Sequence, residues 1–265
     1  MLVTVLGDVG PWADELFLAG GLVPRYLIGE QPEGALPHVG TTDVDFIITL
    51  AVSDAGAYRT LVNNLRRAKF KPGDGSYQWR RSVDDVTIIV EFLCETDEVP
   101  RGRIHTPRQG QGSGFGALNV EGAELAARDF ALRSIGAERL DGGGLSKVEV
   151  RIANLLPYVV LKIQSFQDRH ERKDVYDLIF VLANWPDGPT AAGKAARSSP
   201  VADEELVQRS IDLLADRFAD IDSDGPVAYA SFLAQSDDER DAYRQQAAAV
   251  VRLFLEGFRH ETAAA

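Results

Sequence analysis

A chain of 265 residues, 45% hydrophobic and 26% charged, has the make-up of an ordinary soluble globular protein, long enough for a large core in one domain or two lobes. A net charge of −12 excludes a surface that is basic throughout, so a nucleic-acid partner would need a local positive patch. The single cysteine, Cys94, excludes an internal disulfide and a cysteine-based zinc site, and no apolar run approaches the roughly 20 residues of a membrane helix.

The first residues, Met1 to Asp8, lack a positive n-region and meet acids early, so no signal peptide is expected and the cytoplasm is the expected location, with no membrane partner. Residues 11–18 suit a short helix with Pro11 near its first turn. Gly20-Gly21 breaks it, and residues 22–28 form a second helical piece ending at Gly29. A glycine pair at a helix start lets backbone N–H groups approach a phosphate; it also suits a plain turn. Pro32, Gly34, Pro37 and Gly40 mark residues 30–40 as a loop.

The stretch from His38 to Leu50 reads as a turn feeding a β-strand. Val44, Phe46, Ile48 and Leu50 alternate with Asp43, Asp45, Ile47 and Thr49. Side chains two apart share a face, so one face is apolar and the other begins with two stacked carboxylates. Like charges that close disfavour each other's ionisation, and a cation between them removes the conflict; hard oxygen ligands suit Mg²⁺. A solvent-facing strand start gives the same pattern.

Ser53-Asp54 caps a helix over 54–68 with Tyr58, Leu61, Val62 and Leu65 as its apolar stripe. Residues 72–75 are a turn, 76–81 a strand, and 86–93 the strongest strand. Glu91 lies inside that apolar run, where a charge is costly unless paired, bound to a cation or reaching water at a sheet edge. Neighbouring strands would bring it to Asp43 and Asp45. The basic side chains cluster early: Arg59, Arg66, Arg67, Lys69, Lys71, Arg80, Arg81, Arg101, Arg103 and Arg108 suggest a polyanion site, or solvated faces of a helix and a hairpin. Residues 100–116 read as a basic loop, in which His105 is expected at the surface. A short helix over 121–128 and strands over 130–135 and 147–152 follow, around a glycine turn at 141–144 that lacks a P-loop ending.

From Leu155 the pattern is helical. Leu156, Val159, Val160, Ile163 and Phe166 form a core stripe, while Tyr158, Lys162, Ser165 and Arg169 share another. After a break at 168–171, a second helix carries Asp174 and Asp177 one turn apart. Lys162 and these acids suit a salt-bridged helix pair. Three prolines and two glycines make 185–200 a linker, and helical core stripes run beyond it. The expectation is an α+β chain: a mixed β-sheet lobe flanked by helices over 1–153, then an all-helical lobe over 154–265 that brings Lys162 and Asp174 across a cleft.

Four pieces together resemble the AbiEii/AbiGii-type nucleotidyltransferase toxins of the DNA polymerase β-like superfamily, and are similar to the MenT toxins. They are Gly20-Gly21, Thr41-Thr42-Asp43-Val44-Asp45, Lys162, and Arg169 with Lys173-Asp174-Val175-Tyr176-Asp177-Leu178, spanning about residues 16–183. The resemblance implies Mg²⁺ or Mn²⁺ on Asp43 and Asp45, with Glu91 as a third carboxylate by strand position. It implies an NTP held by Gly20, Gly21, Thr41, Thr42, Lys162, Arg169 and Asp177, and Asp174 as base or lysine-orienting residue. His38-Val39 departs from the pattern, standing where an arginine often precedes the threonine. The implied activity is transfer of NMP to RNA, with the 3′ end of tRNA as first acceptor and Arg66, Arg67, Arg80, Arg81, Arg101 and Arg103 on its backbone. The implied role is the toxin of a toxin–antitoxin or phage-defence pair, with a cognate antitoxin as partner. Transfer to a protein hydroxyl, or non-catalytic capture of nucleotide or a partner, are the alternatives.

Overall fold

The structure, a computed structural model, describes residues 1–29, 37–49, 55–107 and 114–259. Residues 30–36 of the loop expected at 30–40, Leu50, the Ser53-Asp54 cap and Arg108 lie outside these residues. The chain divides into two compact units, one of Met1–Val23 and Gly40–Ala153, the other of Pro24–Val39 and Asn154–Ala265. Residues 24–39 thus group with the helical unit, although in sequence they sit inside the sheet unit.

The first unit is built on a mixed sheet of nine strands among the described residues. Strands β1 (Leu16–Ala19), β2 (Asp43–Ile48), β3 (Lys71–Pro72), β4 (Gln78–Val83), β5 (Val86–Cys94), β8 (Phe130–Glu138) and β9 (Leu145–Ala153) run in the order β3-β4-β5-β2-β1-β9-β8. The short β6 (Ile104–His105) and β7 (Ala117–Asn119) extend it beside β5. Strand β2 is central, antiparallel to β1 and parallel to β5. Alternation explains its place: Val44, Phe46 and Ile48 are buried, as are Ile88, Val90, Phe92 and Cys94 on β5 and Trp79 on β4. Tyr58 of α3 (Ala55–Arg67) and Phe115 close this face, with Phe115 meeting both the Tyr58 and Phe92 rings at 5.2 Å. Helices α1 (Leu2–Val9) and α4 (Ala123–Arg128) complete the unit.

The helical unit holds α2 (Pro24–Leu27), α5 (Leu155–Arg169), α6 (Arg172–Ala183), α7 (Pro189–Arg197), α8 (Glu205–Arg217), α9 (Asp224–Leu233) and α10 (Asp237–Arg259). The expected stripes form its core: Leu156, Val159, Val160, Ile163 and Phe166 are buried, as are Val175, Leu178, Ile179 and Leu182. His170 ends α5 in the left-handed conformation, φ 53°, and lets the chain turn into α6. Among the described residues no helix is long and apolar enough to cross a membrane.

Three sequence expectations are corrected, and one helix is added. Residues 11–18 are not one helix: a 3₁₀ segment, Gly10–Glu15, leads into β1, whose four residues are all buried. A buried apolar run of that length suits a strand as well as a helix. Residues 2–9, unassigned from sequence, form α1. The region 185–200 contains α7, because Pro189 sits at its first position, where a missing N–H costs nothing. His105 is 5% exposed, buried rather than at the surface.

Candidate functional site

In the sheet unit, Asp43 and Asp45 stand at the start of β2 and share a face. Asp45 is in register with Glu91, and Asp43 with Ile89. The three carboxylates therefore occupy one side of two adjacent strands, opposite the apolar core. All three are half-buried. The Thr41 hydroxyl accepts the Asp43 N–H at 3.0 Å, a turn that fixes the strand entry. Thr42 is exposed and its carbonyl accepts the Ile89 N–H.

Gly20 follows β1, and Ala19 at the end of that strand is in register with Asp45. Its φ of +68° is left-handed, and a Cβ there would lie 1.6 Å from Asp45 Oδ2. Only glycine allows this backbone to sit against the carboxylate. Gly21 is buried in the 3₁₀ turn that follows.

Glu91 has a partner that the sequence did not point out. Gln78, on β4 directly opposite, donates from Nε2 to Glu91 Oε1 at 2.6 Å. Arg80 Nε donates to Gln78 Oε1 at 2.8 Å. Strand alternation was the available signal, since Gln78 and Arg80 share one face of the expected strand. Among the described residues, no three His, Cys, Asp or Glu side chains are grouped closely enough to cage a metal ion. Asp43 and Asp45 on one strand, and Glu91 on the next, are carboxylates, the type of oxygen donor that Mg²⁺ or Mn²⁺ takes.

The six candidate RNA-binding arginines do not form one surface. Arg80 pairs with Ile89 and Arg81 with Ile88 in the β4–β5 register, so they point to opposite faces of the sheet. Arg80 pairs with Asp74, Arg101 with Glu121, and Arg81 with Asp8. Arg66, Arg67 and Arg103 are exposed.

In the helical unit, Lys162, Asp174, Asp177, Arg169 and His38 come together. Lys162 is 6% exposed, and its ammonium donates to Asp177 Oδ2 at 2.6 Å and Asp174 Oδ1 at 3.1 Å. Arg169 grips Asp174 with two N–H groups, at 2.8 and 2.9 Å. Lys173 reaches Asp177 at 3.0 Å, and His38 Nε2 lies 2.9 Å from the same carboxylate. The His38 ring stacks on Tyr176, whose hydroxyl accepts the Val39 N–H. Sequence spacing placed the lysine and the acids on facing stripes; nothing in it placed His38, 139 positions from Asp177.

Burial works against the Asp177 charge, yet His38, Lys162 and Lys173 outweigh it and hold the carboxyl down to about 2. Burial likewise works against the Lys162 charge, and Asp177 and Asp174 outweigh it, so the ammonium titrates above its ordinary value. Tyr158 is fully buried beside these acids; burial, then Asp177 and Asp174, push its phenol well above its ordinary value.

No family model, curated protein or solved structure matches this chain. The functional reading rests on the residues themselves.

Proposed function

We propose that this chain is a metal-dependent nucleotidyltransferase that moves NMP from an NTP to an RNA acceptor, with the 3′ end of tRNA as first candidate. The observation that carries the reading is the contact of Gly20 with Asp45 beside Asp43: a left-handed glycine turn abutting one of two stacked carboxylates. A phosphate-handling backbone and a cation-handling pair are thereby side by side within one sheet. In the reaction, the acceptor hydroxyl oxygen bonds the α-phosphorus, the bond to pyrophosphate breaks, and the hydroxyl proton leaves to a base.

Mg²⁺ or Mn²⁺ on Asp43 and Asp45, with Glu91 alongside, would neutralise charge on the phosphate oxygens and favour ionisation of the hydroxyl. The chain's own residues do the rest. Gly20 and Gly21 present backbone to the phosphates. Thr41 fixes the approach of Asp43. Gln78 orients Glu91. Asp174, with both oxygens engaged by Arg169 and one by Lys162, acts as the residue that orients Lys162 rather than as the base. The cellular role that goes with this activity is that of a cytoplasmic toxin held in check by a cognate antitoxin.

Calorimetric titration of the protein with each NTP, with Mg²⁺ and then with EDTA, tests the site directly. Mg²⁺-dependent heat that disappears in Asp43→Asn and Asp45→Asn is the expected result. Mg²⁺-dependent nucleotide binding that persists in both variants would move the reading to a non-catalytic binding protein.

A further inference from the structure

On the opposite face of the sheet from the carboxylates lies a cavity of about 700 Å³, lined by residues of the sheet unit alone. Four cations reach it, Arg67, Lys69, Arg81 and Arg139, against two acids, Asp8 and Asp141. That is a local excess of two positive charges in a chain whose net charge is −12. We propose that this cavity binds a phosphate group, carried by a free nucleotide or by a nucleic-acid strand. The proposal stands independently of the nucleotidyltransferase reading.

The cavity is built rather than incidental. Arg81 Nη1 and Arg139 Nη2 hold the two oxygens of Asp8, at 2.8 and 2.6 Å. Arg139 also grips Asp141 with Nε at 3.0 Å and Nη2 at 2.6 Å. The Arg81 side chain is 9% exposed and that of Arg139 is 18% exposed. Two glycines leave the room that Arg139 occupies: a Cβ at Gly7 would lie 2.2 Å from its Nη1, and one at Gly143 2.8 Å from its Nε. Phe70 lies 5.8 Å under the Arg81 guanidinium. The aspartates thus fix two planar guanidinium groups, each with five N–H donors, without cancelling the cationic rim. Arg67 and Lys69 supply that rim and are exposed. Fixed guanidiniums below and exposed cations above are the donor set that a phosphate takes, because each N–H to an anionic oxygen is charge-assisted. Lys69 holds its place with a left-handed φ of 69°, a backbone that turns the chain out of α3 at this spot.

The test uses the full chain in EDTA, which removes metal-dependent nucleotide binding at Asp43 and Asp45. Pyrophosphate and ATP are titrated by calorimetry, and a labelled single-stranded RNA by fluorescence anisotropy. The variant is Lys69→Gly with Arg67→Ala; glycine suits the left-handed backbone, so the fold is spared. Asp43→Ala is carried alongside and is expected to bind as the wild type does. Binding of pyrophosphate and ATP that weakens about ten-fold or more in the double variant supports a small phosphate ligand. Binding of RNA alone, weakened to the same degree, supports a nucleic-acid strand. Absence of binding in the wild type, or affinity unchanged in the double variant, overturns the proposal.

Discussion

At the scale of single residues, the informative positions are those where a neighbour leaves no alternative. Gly20 is one. Gly20→Ala sets a Cβ into the Asp45 carboxylate at a left-handed φ, so it is expected to cost about 1–3 kcal/mol in stability. Displacing Asp45 by an ångström would also slow transfer about a hundred-fold. Urea denaturation and a transfer assay on the same preparation check both, and unchanged values for both would remove the structural basis of the glycine–carboxylate site. Lys162 is another. Replacing it by methionine leaves Asp174 and Asp177 buried without their shared cation, which is expected to cost about 3–5 kcal/mol. A loss below about 1 kcal/mol would mean that the pair behaves as a solvent-exposed one. The paired aspartates of β2, the lysine and the two acids of α6 were all readable from spacing. His38 and Gln78 were not read as site residues, because each acts through a side chain distant in sequence or on the next strand.

At the scale of elements, α7 and α10 meet backbone to backbone. A Cβ at Gly193 would lie 2.0 Å from the Phe254 carbonyl oxygen, and one at Gly257 2.1 Å from that of Thr190. Main chain does not yield as a side-chain tip does, so Gly193→Ala or Gly257→Ala must push the helices apart, at about 1–3 kcal/mol or more. Gly136→Ala, with nothing within 4 Å, is the control and is expected to stay within about 0.5 kcal/mol of the wild type. Thermal melts of the three variants decide this. The same contact explains why residues 185–200 misread as a linker: their glycine and prolines serve helix start and helix packing, which look in sequence like punctuation. Strands β2 and β5 were readable because alternation and β-branched content agree there. Strand β1 was not, because all four of its residues are buried and leave no alternation to see.

At the scale of the whole molecule, the pH dependence of stability follows from the buried ion cluster. Asp177 has a folded value of about 2 against an ordinary 3.8. A depressed carboxyl stabilises the fold above its unfolded value and loses that contribution as pH falls through the folded one. The loss is roughly 2 kcal/mol, confined to the acid side of pH 4. Lys162 is raised from 10.5, so its contribution is complete below that value and fades as pH climbs past it. Urea midpoints are therefore expected to be level between about pH 5 and 9 and to fall at both extremes. In Asp177→Asn the acid-side fall should shrink; an identical acid limb would show that other carboxyls control it. Fold class was readable at this scale, since strand periodicity in the first half and helical periodicity in the second are both strong. A run of charge along the chain hides that Arg80 and Arg81, on successive strand positions, take opposite faces of the sheet.

The central claim is nucleotide transfer by the carboxylates of β2. Its most direct measurement is incubation of the purified chain with each α-³²P-labelled NTP, Mg²⁺ and total RNA, beside Asp43→Ala. The account predicts label on an RNA band of tRNA size, present with the wild type and absent with the variant. Label on protein instead of RNA would contradict the proposed acceptor. Absence of label with every nucleotide, or equal label in Asp43→Ala, would contradict the claim itself.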